Sequence, residues 1–253
     1  MTNLPTTTPD NLPAEKITSY RERGFVHIPG ILTPEEAAHF YEVALAFSKE
    51  PRSHVHGGNI FTQLVNVWQE SEGMRALTLH RNIGAIAAKL AGTPLRLWHD
   101  QILIKQPHNN AATEFHQDQP YWPHANCPHP ISAWVALCDV PVEKGCMTFL
   151  PGSQKRTELP AQNFGDDKSL FAIAPDLTWS ERITVPLRAG DCTFHHGRCA
   201  HMATPNFTDD PRVAHIIIFM HTDTTYNGAP HIVTDPLGLS VGDRLDGDTF
   251  PAV

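Results

Sequence analysis

The feature that most constrains this chain is a change of texture near Thr93. Ahead of it apolar residues recur at helical spacing, and behind it they fall into short runs punctuated by Pro and Gly. Thr33-Pro34-Glu35-Glu36 supplies a capping hydroxyl, a first-turn proline and first-turn acids. Ala37, Phe40, Val43, Ala44 and Phe47 follow at helical spacing, which predicts a helix. A helical pattern also begins at Ala14, with Ile17 and Tyr20, and leads past Gly24 into a strand-like run, Phe25-Val26-His27-Ile28. A further helix is predicted over 70–90, striped by Ala76, Leu77, Ile83, Ile86, Ala87 and Leu90 and stopped by Gly92. Beyond Thr93, β-like runs are predicted at 95–105, 131–140, 147–150, 182–187, 191–195 and 213–220. Helices followed by many short strands predict a mainly β fold, a sandwich or barrel with a helical layer packed on it. One domain is expected over 14–253, preceded by a flexible tail over the Thr-, Pro- and Asn-rich residues 1–13. The stretch 160–179 has little periodicity and reads as a long loop of the kind used for lids or binding elements.

The charge balance narrows the partners. A formal net charge of −8 with no run of Lys or Arg disfavours nucleic acid and anionic membranes, which require phosphate neutralisation. A small molecule is the expected partner, bound by a monomer or small homo-oligomer. The 5 cysteines are irregularly spaced and include no Cys-x-x-Cys pair, so they read as reduced thiols in a cytoplasmic protein. No apolar stretch approaches the ~18 residues of a membrane span, and the N-terminus lacks the pattern of an export signal.

Within this frame Glu114-Phe115-His116-Gln117-Asp118 carries a His-x-Asp triplet. With 16 histidines, about one such triplet is expected by chance, and the chain has a second in His221-Thr222-Asp223. Two imidazoles and one carboxylate on one face of a metal is the ligand set of non-haem Fe(II) oxygenases. Alternation along a strand would turn His116 and Asp118 to the same side and Gln117 away. The third ligand must come from another strand. His195, His196 and His201 all compete for that place, and spacing does not choose among them.

HQD followed by Tyr121-Trp122, then SAWVALCDVPVEKGCMTFLPGSQ, then GD…FHHGRCAH…PN…R, resembles the phytanoyl-CoA dioxygenase family of Fe(II)/2-oxoglutarate oxygenases. GFVHIPGILTPEE and LIKQP extend the resemblance over most of the chain. It implies a double-stranded β-helix, a cupin-like jelly roll, holding Fe(II) through His116, Asp118 and His201. The family's distal histidine precedes a Pro-Asn pair and lies eleven residues before an arginine, as His201 precedes Pro205-Asn206 and Arg212. His196 then takes the place of a neighbour of the site rather than a ligand.

The resemblance assigns Arg212 to the distal carboxylate of 2-oxoglutarate, a role suited to a guanidinium fork. Lys105 is implied as a second co-substrate contact and Trp134 as an aromatic wall. Where the family often has a hydroxyl residue two positions after the histidine this chain has Ala203, and Thr204 can replace it only if the backbone is irregular there. Tyr121, Trp122, His124, Gln101 and His56 are the candidate substrate-facing residues, with His54 and His56 placed at an entrance. The implied reaction consumes 2-oxoglutarate and O₂, releases succinate and CO₂, and oxidises a C–H bond, most simply to an alcohol. The carboxylate of Asp118 separates the chain from related halogenases, which lack it, and no basic cluster favours a CoA thioester. A cupin-type metalloenzyme that does not use 2-oxoglutarate and a non-catalytic jelly-roll binding protein are the alternatives.

Overall fold

The computed structural model describes residues 6–50 and 58–253; His54 and His56 lie outside them. The helices α1 (Ala14–Arg23), α2 (Pro34–Ser48), α3 (Glu72–Thr78) and α4 (Arg81–Ala91) precede most of the sheet. The expected capping of α2 is present as a reciprocal pair: Glu36 N–H donates to Thr33 Oγ1 at 3.1 Å and Thr33 N–H to the Glu36 carboxylate at 2.8 Å. The single helix predicted over 70–90 is two. His80 adopts an extended ψ of 116° that interrupts the chain before α4, while Gly92 ends α4 in the left-handed conformation, φ 71°. Residues 6–13, expected to be part of a flexible tail, are tied to the body. Thr7 donates its N–H to Gly30 O at 2.9 Å and its hydroxyl to Pro29 O at 2.7 Å, and Leu12 is buried.

Strands β1 (Phe25–Ile28), β2 (Thr62–Val65), β3 (Leu95–Lys105), β6 (Ile131–Ala136), β9 (Cys192–His196) and β11 (Arg212–His221) form one antiparallel sheet in the order β1-β9-β6-β11-β3-β2. Strands β4 (Thr113–His116), β7 (Met147–Phe149), β8 (Ile183–Val185) and β10 (His201–Ala203) form a second, in the order β4-β10-β7-β8. Two short strands, β5 (His124–Ala125) and β12 (Thr225–Tyr226), pair separately. From β3 to β11 the chain repeatedly crosses between the two large sheets.

The six-stranded sheet is covered on both faces, so its central strands read as unbroken apolar runs rather than as alternation. On β11, Val213, Ile217 and Phe219 pack with the helices, whereas Ala214, Ile216, Ile218 and Met220 belong to a second core between the sheets. The register of β11 against β3 shifts once: Ile218 opposes His99 and Phe219 opposes Leu97, leaving Trp98 as an extra residue. Such a bulge re-aims side chains. Leu97 packs with the helices, Trp98 joins the core between the sheets, and His99 faces the cavity described below.

The five cysteines are free, as expected. Among the described residues no helix is long and apolar enough to cross a membrane. A short helix α5 (Ser169–Ile173) interrupts the predicted loop over 160–179.

Candidate metal centre and active-site cavity

Strand β10 lies between β7 and β4, and its register places His201 directly opposite His116. Direct cross-strand neighbours have Cβ atoms ~5 Å apart, so two residues far apart in sequence bring their imidazoles together; the ring centroids are 4.4 Å apart. Asp118 arrives differently from the sequence expectation. Strand β4 ends at His116, and Asp118 has helical dihedrals, φ −74° and ψ −44°, at the start of a 3₁₀ turn. A turn, not strand alternation, swings the carboxylate to the histidines. Gln117 does point away, donating its amide N–H groups to the carbonyls of Arg198 at 2.7 Å and Arg156 at 2.9 Å.

Ligand atoms of His116, Asp118 and His201 all lie within 4.8 Å of one another. His116 Nε2 is 3.4 Å and His201 Nε2 3.7 Å from Asp118 Oδ1. The opposite ring nitrogens are tethered, with His116 Nδ1 donating to Glu114 O at 2.7 Å and His201 Nδ1 to Cys199 O at 3.0 Å. Those tethers fix the tautomer and leave Nε2 with a lone pair, the arrangement metal-binding histidines adopt. Burial pushes His201 down to about 3, so it is neutral at ordinary pH. Neutral imidazole lone pairs facing a carboxylate are mutually repulsive unless a cation sits between them. The donor set therefore fits a divalent metal, and two histidines with one carboxylate fit Fe(II).

His195 and His196 separate by strand alternation. His195 is buried with Nε2 3.3 Å from Asp118 Oδ2, and it lines the cavity. His196 faces the other side of the sheet, 3.1 Å from Pro128 O. The neighbour of the site is thus His195, not His196 as the resemblance implied. The second triplet stays outside: His221 ends β11, its Nδ1 accepts Asp223 N–H at 3.0 Å, and Asp223 pairs with Arg244 at 2.8 Å.

A cavity of about 430 Å³ opens over His116, Asp118 and His201. At one end Arg212, 1% exposed, lies with its guanidinium 5.2 Å from the centre of the Trp134 ring. Its Nη1 reaches Leu103 O at 3.5 Å, and Nε has no acceptor among the described residues. Burial lowers Arg212 to about 10, so it stays charged, and a charged fork this deep is costly unless an anion joins it. Lys105 is opposite Arg212 in register, but it does not line the cavity. Its ammonium donates to Ala111 O at 2.9 Å and Ala203 O at 3.4 Å. Burial, then the charge of Arg212, lowers it to about 7. Thr204 also turns away, its hydroxyl donating to Val142 O at 2.8 Å, so it does not replace the hydroxyl missing at Ala203. Thr113 does line the cavity and sits opposite Ala203 across β4 and β10. Asn206 has a structural part, donating to Lys105 O, Gln106 O and Asp210 O and so pinning the loop that delivers Arg212.

Gln101, Tyr121, Trp122 and Trp134 line the cavity as expected, whereas His124 packs behind it against Trp98, ring centroids 4.6 Å apart. Phe61, Gln63, His99, Phe164 and His231 also line it and were not anticipated. Phe164 shows that the 160–179 stretch forms part of the wall, stacking on Tyr121 at 4.7 Å and meeting His116 edge-on at 4.5 Å.

The sequence profile of the phytanoyl-CoA dioxygenase family matches residues 20–214. The phytanoyl-CoA dioxygenase domain-containing protein 1 of Mus musculus is 26% identical over 157 residues, 60% of this chain, and the match spans only 54% of that relative. Among solved structures, the non-haem α-ketoglutarate-dependent carbocyclase SnoK from nogalamycin biosynthesis is 38% identical with a TM-score of 0.87, covering 99% of this chain and 100% of that one. The epimerase SnoN, solved in complex with Fe³⁺, α-ketoglutarate and nogalamycin RO, is 37% identical with a TM-score of 0.81, covering 94% of this chain and 97% of its own. With the family profile spanning most of the sequence and its candidate ligand residues brought together by the fold, the chain belongs to the phytanoyl-CoA dioxygenase family.

Proposed function

We propose that this chain is an Fe(II)/2-oxoglutarate-dependent oxygenase, one domain over 14–253, that oxidises a C–H bond of a small organic metabolite. The two large sheets are read as the walls of a double-stranded β-helix. His116, Asp118 and His201 would hold the metal. The observation that carries the reading is the pair of Nδ1-tethered histidines facing Asp118, beside a buried Arg212 with no ion pair among the described residues. When bound, Fe(II) supplies the centre at which 2-oxoglutarate and O₂ give succinate, CO₂ and the oxidising equivalent.

The protein's own residues have separable tasks. The Arg212 fork holds the distal carboxylate, with Trp134 beneath it and the Thr113 hydroxyl within the same cavity. The backbone tethers on His116 and His201 keep both rings oriented without help from the ligand. Apolar walls exclude water from the reacting centre. Lys105 acts mainly by tying β3 to β10. Hydroxylation is the simplest outcome. Epimerisation or ring closure is a second reading, favoured by the likeness to SnoK and SnoN.

Anaerobic addition of Fe(II) and 2-oxoglutarate to the protein should raise a weak visible charge-transfer band at one equivalent of each. Its absence in wild type, or its persistence unchanged in His201→Ala, would refute the assignment. Succinate formed across a metabolite panel should vanish in Asp118→Ala, and a cupin-type enzyme that does not use 2-oxoglutarate would form none at all.

A further inference from the structure

The cavity has a second recognition end, remote from Arg212, whose chemistry points to a substrate class. Along β3 the cavity-facing side chains are Leu103, Gln101 and His99, which at ~3.3 Å per residue extend ~13 Å from the Arg212 end. The bulge at Trp98 is what turns His99 inward. His99 Nδ1 donates to Asp100 O at 3.2 Å, which leaves Nε2 as a bare acceptor, and Nε2 is buried with no partner among the described residues. Burial, then the nearby His231, lowers His99 to about 3, so it does not become a cation at ordinary pH. Beside it Gln63 donates to Gln101 Oε1 at 2.8 Å, which leaves Gln63 a free carbonyl oxygen and Gln101 a free amide to offer.

Charge is missing from this end. Among the described residues, Asp118 and Arg212 are the only carboxylate and the only Lys or Arg that line the cavity, and the metal and the co-substrate engage both. A zwitterionic amino acid would leave its ammonium and carboxylate buried and unpaired, at a cost of several kcal/mol. A phosphorylated or CoA-linked acyl group would meet the same lack of cations. Trp122, Tyr121, Phe164 and Phe61 instead offer aromatic surface.

Resting on the oxygenase reading above, we propose that the substrate is an uncharged, flat, hydroxylated ring system, with one hydroxyl donating to His99 Nε2 and another oxygen meeting the Gln63–Gln101 amide pair. His99 is a positioning residue. It selects a donor because its own proton is already committed to Asp100 O, and an unfilled buried acceptor penalises molecules lacking that hydroxyl.

Anaerobic calorimetric titration of the protein in excess Fe(II) and 2-oxoglutarate with 2,6-dihydroxyanthraquinone, whose hydroxyls are free to donate, L-proline and acetyl-CoA tests this without turnover. The anthraquinone should bind one per chain, at least tenfold tighter than either other probe. His99→Leu should weaken it about tenfold and His99→Gln, which keeps an acceptor, should restore most of the loss; Gln101→Leu should weaken it several-fold. Tighter binding of L-proline or acetyl-CoA, or unchanged anthraquinone affinity in both leucine variants, would overturn the proposal. The Fe(II)/2-oxoglutarate band separates the two claims. A retained band with failed probe binding sinks only the substrate class, and an absent band with intact probe binding sinks only the oxygenase reading.

Discussion

Gly145→Ala should damage co-substrate binding far more than it damages the fold. Gly145 has φ +73°, and a Cβ there would lie 3.1 Å from Arg212 Nε and 3.3 Å from Lys105 Cδ. Both side chains are fully buried, so neither can swing aside into solvent. The left-handed backbone costs an alanine ~1–2 kcal/mol. The displaced guanidinium costs separately, because losing one of two charge-assisted hydrogen bonds to a carboxylate is worth ~1.5–3 kcal/mol, or about 10- to 100-fold in affinity. Gly152→Ala supplies the control: its φ is +81°, yet nothing lies within 4 Å of the added Cβ. Both variants should unfold at similarly lowered denaturant concentration, and only Gly145→Ala should shift the anaerobic 2-oxoglutarate titration of the charge-transfer band. Equal 2-oxoglutarate affinity in the two would refute the reasoning, since Arg212 would then not be the group that holds the co-substrate.

Thr113→Ala should raise the KM for 2-oxoglutarate several-fold, whereas Thr204→Ala should leave it unchanged and cost ~1 kcal/mol of stability, read by chemical denaturation. Asp100 is fully buried, accepts from Thr78 Oγ1 at 2.7 Å, and is raised by burial from 3.8 to about 7. Its folded form holds a proton that the unfolded form has lost, so stability falls as pH rises from about 4 to about 7 and regains nothing above that. Wild type compared with Asp100→Asn should therefore lose up to about 4 kcal/mol across that window, and a flat or rising difference would contradict it. Leu77→Ala should cost ~2–5 kcal/mol of unfolding free energy, because Leu77 is fully buried between the helices and the six-stranded sheet, and 2-oxoglutarate affinity should be retained.

What could be read from the sequence depended on the length over which a pattern runs. The sequence pattern predicts a strand at 95–105 and β3 occupies Leu95–Lys105, because eleven residues carry enough apolar content to stand out. Strands β4 and β10, of 4 and 3 residues, hold both candidate ligand histidines and are too short to show any period. Spacing could not choose His201 because its partnership with His116 is a matter of register between strands 85 positions apart, which the family resemblance supplied and local chemistry did not. Alternation did separate His195 from His196, but only the pairing of β9 with β6 and β1 says which of the two faces inward. The 70–90 pattern predicts one continuous helix because its apolar stripes run through Leu79-His80, where a single extended ψ restarts the helix.

The bulge in β3 shows most directly what a one-residue irregularity controls. Counted by strict alternation from Leu97, which packs with the helices, His99 would join the helical layer and Asp100 would enter the cavity. The extra residue at Trp98 reverses both. Asp100 meets Thr78 and His215 in the helix-facing core, while His99 presents an unprotonated Nε2 to the cavity. Without the bulge a second carboxylate would line the cavity and favour cationic ligands or a second metal. With it, that end of the cavity offers a neutral acceptor, and the bulge therefore decides what kind of molecule the site can hold.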